Sequence, residues 1–222
     1  MLGLPLASIS RTALWICAAV SIAVVVLGAI LIRPRNRLAC RNGAPLPISV
    51  LGDAPILQVE LARNEDDLRA IFMVGDIAQN VRDARAGNLL DSFLFIPGYA
   101  GFLLAAGLLL AGADSQPYRV ALLVALLAIP IIAICDWVEN LGIAHTLDHI
   151  EHDHMPHAGD ALRISGPSMV KWALLAAVLV IYGLTAAGAR MGWLVASFGI
   201  LQLIVGAAIT IQLIRYFRVR FL

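Results

Sequence analysis

Apolar residues run along this chain in long blocks rather than in the alternation of a sheet or the stripes of a water-facing helix. A helix that crosses the hydrocarbon core of a bilayer needs about 20 mainly apolar residues. Five blocks reach that length: 12–32, 89–111, 120–141, 169–188 and 193–214. The pattern predicts an all-α chain, a bundle of five transmembrane helices forming one integral membrane domain over residues 1–222. Between the blocks lie two polar segments long enough to hold structure of their own, 33–88 and 142–168. The remaining connections, 112–119 and 189–192, are short.

The first polar segment changes character part-way. Pro34, Gly43, Pro45, Pro47, Gly52 and Pro55 punctuate its first half, which reads as irregular. Asn64-Glu65-Asp66-Asp67 then has the form of a helix N-cap followed by acids in the first turn. Leu68, Ile71, Phe72, Ala78 and Val81 follow at helical spacing. The expectation is an amphipathic helix lying either on the membrane surface or against the protein's own spans. Within the spans, small residues at close spacing (Gly101 and Ala105, Gly183 and Ala187, Gly206 to Ala208) let helices approach tightly. Pro97 and Pro130 each remove one backbone hydrogen bond.

Composition agrees with a lipid-facing chain. Residues are 60% hydrophobic and 14% charged, against about half and a quarter in soluble domains. The net charge of +1 excludes the basic field of a nucleic-acid binder. Three cysteines, Cys17, Cys40 and Cys135, are too scattered for a disulfide framework or a zinc knuckle. Orientation follows from the basic residues. Of sixteen Lys and Arg, an outside N-terminus leaves Arg11, Arg119 and Arg190 outside and the other thirteen inside. Trp15 and Trp193 then fall at the outer boundary, Trp137 and Trp172 near the inner one, where amphipathic rings belong. The expected location is the inner, cytoplasmic membrane, with the N-terminus outside and the C-terminus in the cytoplasm.

Candidate chemistry gathers at that inner side. Asp91 opens the second span, which carries Tyr99 two turns in. Asp136, Glu139 and Asn140 close the third on one helix face, at i, i+3 and i+4. Lys171 opens the fourth. Antiparallel neighbours place these groups at one depth, with Asp91 expected near Asp136 or Glu139. Charged groups inside a bilayer are costly and mark function, here a cation or proton site or a pocket for a lipid headgroup. An ion-pair network clamping the helices accounts for the same residues.

All five histidines fall between His145 and His157. If the third helix runs on past the membrane as far as Pro156, His145, Asp148, His149 and His152 share one face. Imidazole and carboxylate at i, i+3, i+4 and i+7 suit a divalent transition metal. No standard metalloenzyme spacing is present, and a solvated helix extension gives the same run. On a straight helix this face points away from Asp136, Glu139 and Asn140, so one centre using both sets is not expected. Gly142, between them, would allow a bend.

The stretch from about Glu60 to Asn140 resembles small, functionally uncharacterised bacterial membrane proteins. These carry Asp-x-x-(Leu/Phe)-Phe-Ile-x-x-Tyr at the start of one span and Asp-x-x-Glu-Asn at the end of the next, here Asp91 to Tyr99 and Asp136 to Asn140. The resemblance covers about a third of the chain. It implies a bacterial helical bundle and no activity, and the histidine run departs from its pattern. The leading functional expectation is therefore a non-catalytic binding, assembly or accessory protein. Its partners would be the lipid bilayer and another membrane protein or a second copy of the chain. The alternatives are a metal-dependent membrane enzyme acting on a lipid or hydrophobic substrate, and a small cation or proton transporter. A transporter needs a polar path across the whole membrane, and beyond the inner cluster only Tyr99, Gln202 and a few hydroxyls lie deep.

Overall fold

The computed structural model describes residues 10–32, 55–73, 75–111, 116–153 and 155–188, with scattered positions between 200 and 214. The Pro/Gly-rich stretch before residue 55, the 189–192 connection and most of the expected fifth span lie outside the described residues. Those described are helical: α1 (Arg11–Ile32), α2 (Pro55–Glu60), α3 (Glu65–Phe72), α4 (Ile77–Leu90), a π-helical turn (Asp91–Phe95), α5 (Ile96–Ala111), α6 (Gln116–Asp153) and α7 (Asp160–Gly188). Four stretches among them are long and apolar enough to cross a membrane: Arg11–Leu31, Ile77–Ala111, Leu122–Asp153 and Asp160–Ala186. The last three exceed the apolar blocks that announce them, because each helix continues into the polar sequence at one end. Around Gly206, a Cβ would stand 3.1 Å from Val180 Cγ2 and 3.3 Å from Ala176 O, so this position packs against α7.

The helical periodicity from Leu68 to Val81 is carried by two helices rather than one. Asn64 caps α3, its side chain accepting from the Asp67 backbone N–H at 3.0 Å. Asp67 in turn accepts from the Arg63 backbone N–H at 2.9 Å and from Arg63 Nε at 2.9 Å. The chain then breaks at Gly75, whose φ of +74° suits a residue without a Cβ. Asp76 restarts it by capping α4, accepting from Gln79 N at 2.9 Å.

Among the described residues two apolar cores result. The first joins Leu103, Ala106 and Leu110 of α5 to Leu122, Ala125, Ile129 and Ile132 of α6 and to Val178, Tyr182 and Ala186 of α7. Close approach here depends on Gly107, where a Cβ would collide with the Tyr182 hydroxyl and stand 2.6 Å from Leu126 Cδ2. The second core gathers Val59 and Ala62, Leu68, Ile71 and Phe72 of α3, Val81 of α4, Ile143, Leu147 and Ile150 of α6, and Ala161 and Ile164 of α7. The apolar face of α3 is thus spent on the protein's own helices. Gly142 serves this contact: a Cβ there would lie 3.1 Å from the Arg163 carbonyl oxygen. Helix α1 packs along α5, where Gly98 meets Val24 and Val25 and Gly101 meets Ser21.

Candidate functional site: a polar layer between two cores

Between the two cores the helices exchange side chains that are anything but apolar. Lys171 of α7 is the hub. Its Nζ stands 2.7 Å from Asp136 Oδ1, 2.9 Å from Glu139 Oε2 and 3.3 Å from Glu60 Oε2. Lysine and partners alike are closed off from the surroundings: 5% exposed for Lys171 and Asp136, 1% for Glu139 and 7% for Glu60. Three further donors share the carboxylates. Tyr99 Oη donates to Asp136 Oδ2 at 2.7 Å, Trp172 Nε1 to Glu60 Oε2 at 2.9 Å, and Ser168 Oγ to the same oxygen at 3.5 Å. The ammonium also lies 5.2 Å from the Trp172 ring centroid, within reach of a cation–π attraction. Glu139 Oε2 faces the ammonium at 2.9 Å without an aligned hydrogen bond.

One turn further along α6, Asn140 Nδ2 donates to Asp91 Oδ2 at 2.8 Å and to Ser92 Oγ at 2.9 Å. The Asn140 backbone carbonyl oxygen accepts from Asn88 Nδ2 at 2.9 Å. Trp137 Nε1 donates to the Ser92 carbonyl at 3.2 Å. So the six residues singled out in the sequence fall into two neighbouring groups of one layer: Tyr99, Asp136, Glu139 and Lys171 in one, Asp91 and Asn140 in the other. Within it Asp91 is bonded to Asn140, four positions along α6 from Asp136.

The π turn explains how one helix supplies both Asp91 and Tyr99 to the same neighbour. Eight residues at about 100° each would leave them roughly 80° apart on a regular α-helix. The Ile96 backbone N–H donates to Asp91 O, five residues back, instead of to the fourth. Such a turn absorbs one extra residue, so the effective separation falls to about seven steps and the two side chains return to one face. Asp91 then meets Asn140 and Tyr99 meets Asp136, a matched pair of contacts between antiparallel helices. Pro97, which cannot donate a backbone hydrogen bond, is the second residue after the turn.

Sequence reasoning missed Glu60. It sits at the end of α2, in the segment expected to be irregular, and its only signal is one acid inside the apolar run Val59-Glu60-Leu61-Ala62.

The histidine run is arranged differently from the expected face. Helix α6 does extend into it and ends at Asp153, three residues before Pro156. Asp148, however, pairs with Arg85 Nη2 at 2.9 Å, as does Glu151 at 2.6 Å. His152 Nδ1 is bonded to the Asp148 carbonyl oxygen at 2.8 Å. Among the described residues, the group whose ligand atoms lie within 4.8 Å of one another is His145, His149 and Asp160. Asp160, the first residue of α7, was absent from the expected set because it belongs to the next helix.

No protein-family model, no curated protein and no solved structure matches this chain. Fold and site together define a class: a multi-pass, all-helical membrane protein with a buried polar layer.

Proposed function

We propose that this chain is a non-catalytic protein of the bacterial inner membrane, a binding, assembly or accessory subunit whose polar layer fastens its helices in one arrangement. In this reading there are five spans, the fifth at 193–214. The N-terminus is outside, and the α3 end of the bundle faces the cytoplasm with the C-terminus. The thirteen-to-three division of basic residues supports that orientation.

The observation that carries the functional reading is the enclosure of Lys171. Its ammonium is shared among carboxylates from α2 and α6, and every one of these partners is buried. A group held this way ties three helices and presents no free nucleophile or base to a substrate. Deeper in the bundle, the Tyr182 hydroxyl donates to Leu103 O and the Thr185 hydroxyl to Ile181 O. Those hydroxyls are spent on backbone, which weighs against a continuous polar path. A binding partner of such a protein is another membrane protein or a second copy.

Asp136→Asn tests the reading. Asp136 accepts from Lys171 Nζ and from Tyr99 Oη, each at 2.7 Å, so a clamp that loses this charge melts at a lower temperature. A melting temperature for Asp136→Asn in detergent equal to or above that of wild type would overturn the proposal.

A further inference from the structure

At the far end of the α6–α7 hairpin the chain builds a second polar group, separate from the layer around Lys171. Six residue steps along α6 separate Glu139 from His145, about 9 Å along the helix axis. Helix α6 stops at Asp153, and Gly159, with φ of +96°, turns the chain so that α7 begins at Asp160. That return places a carboxylate beside a histidine pair. His145 and His149 stand one turn apart on α6, ring centroids 4.2 Å from each other. His149 Nδ1 is 2.8 Å from Asp160 Oδ2.

We propose that His145, His149 and Asp160 form a binding site for a divalent transition metal, Zn²⁺ being the ion their chemistry suits first. Two imidazoles and one carboxylate are a recognised donor set for such ions, and three protein ligands leave a coordination position open for water or a further ligand. In a tetrahedral site with bonds of about 2.0–2.2 Å, donor atoms stand about 3.4 Å apart. The donor atoms here converge within 4.8 Å, so small side-chain rotations bring them onto one ion. The carboxylate is fixed in advance. Asp160 Oδ2 accepts from the His157 backbone N–H at 2.8 Å, and the Asp160 side chain is 2% exposed. The His157 ring stacks on His149 at 3.9 Å and is itself held by Asp153, Nε2 to Oδ2 2.8 Å. His145, exposed, opens the group to solvent on one side and gives an ion its way in.

A simple His149–Asp160 ion pair accounts for two of the three residues. It leaves unexplained why a second imidazole is set against the first. The difference is testable on His145, because an exposed side chain can be removed without unfolding the protein.

The experiment uses the full chain, purified in detergent through a tag without histidines and stripped with a chelator. Zn²⁺ is then titrated calorimetrically, and the melting temperature is followed with and without one equivalent. Wild type should bind one Zn²⁺ per chain and melt higher with it. His145→Ala and His149→Ala should each weaken binding at least tenfold and lose the melting shift. Asp148→Ala and His152→Ala should stay within about twofold of wild type. Absence of stoichiometric binding in wild type would overturn the proposal. So would binding by His145→Ala at wild-type strength, or binding that requires His152.

Discussion

Replacing Lys171 with methionine removes one charge and leaves the volume nearly unchanged, so the effect reads out electrostatics rather than a cavity. In the folded protein the ammonium stands 2.7, 2.9 and 3.3 Å from three carboxylate oxygens. Without it, Asp136, Glu139 and Glu60 face one another at a site almost wholly closed to solvent. Breaking one buried pair by deleting a single partner costs about 3–5 kcal/mol. The same contacts are not worth three times that figure, because they share one charge. At about 2–4 °C per kcal/mol for a chain of this size, the melting temperature should drop by about 6–20 °C. Intrinsic fluorescence in detergent is a suitable probe, since Trp172 lies against the lysine and donates to Glu60. Asp136→Asn in the same background removes one of the orphaned charges. The double variant should therefore be less destabilised than the two single losses added together, by about 0.5–3 kcal/mol. A Lys171→Met protein that melts within about 2 °C of wild type would show that the layer does not hold the helices, and the clamp argument would fail.

Two other outcomes are expected. Burial pushes the Asp67 carboxyl up, but the hydrogen bonds from Arg63 and its charge outweigh this and hold it below the usual carboxylate range. The stability Asp67 contributes is therefore fully present above its unfolded value of about 3.9 and is lost as pH falls through the lower folded value. Asp67→Asn should cost about 1 kcal/mol at pH 7, with wild type and variant converging in acid-denaturation curves; curves that stay parallel down to pH 2 would contradict this. Separately, reporter fusions after the C-terminus and in the 112–119 connection should report cytoplasm and periplasm respectively, and the reverse pattern would sink the orientation.

How much of this was legible in the sequence depended on whether a residue's partner lies on its own helix. The spans were visible because lipid imposes a composition on every position of a helix. Asp136, Glu139 and Asn140 declared themselves through i, i+3 and i+4 spacing, and Asn64 declared the start of α3 through its cap. Helix ends were less clear: α6 and α7 run well beyond their apolar blocks because a second core buries Ile143, Leu147, Ile150 and Ile164 outside those blocks. Glu60 and Asp160 were missed for one reason. Each meets its partners only after the chain has turned back, Glu60 on Lys171 and Trp172, 111 and 112 positions away (171 − 60 and 172 − 60), and Asp160 on His149. Periodicity is a local signal and holds no information about such returns. The π turn was equally hidden, since nothing in Asp91-Ser92-Phe93-Leu94-Phe95 distinguishes it from an ordinary helical turn.

The two cores on either side of the polar layer lie, in the proposed orientation, in different solvents, and so they answer to different forces. The core around Leu68, Phe72 and Leu147 is held by water's exclusion of apolar surface, which urea weakens and cooling diminishes. The core around Leu103, Ile129 and Tyr182 gains nothing from that source, because lipid tails receive a leucine as readily as another helix does. Denaturant in the aqueous phase should therefore loosen α2 and α3 while the spans stay helical, and the protein would come apart in two stages. What remains to align the spans in the second stage is close packing at glycines and the charges around Lys171. The polar layer thus supplies, at the boundary between the two solvents, a directional attraction that does not depend on water being expelled.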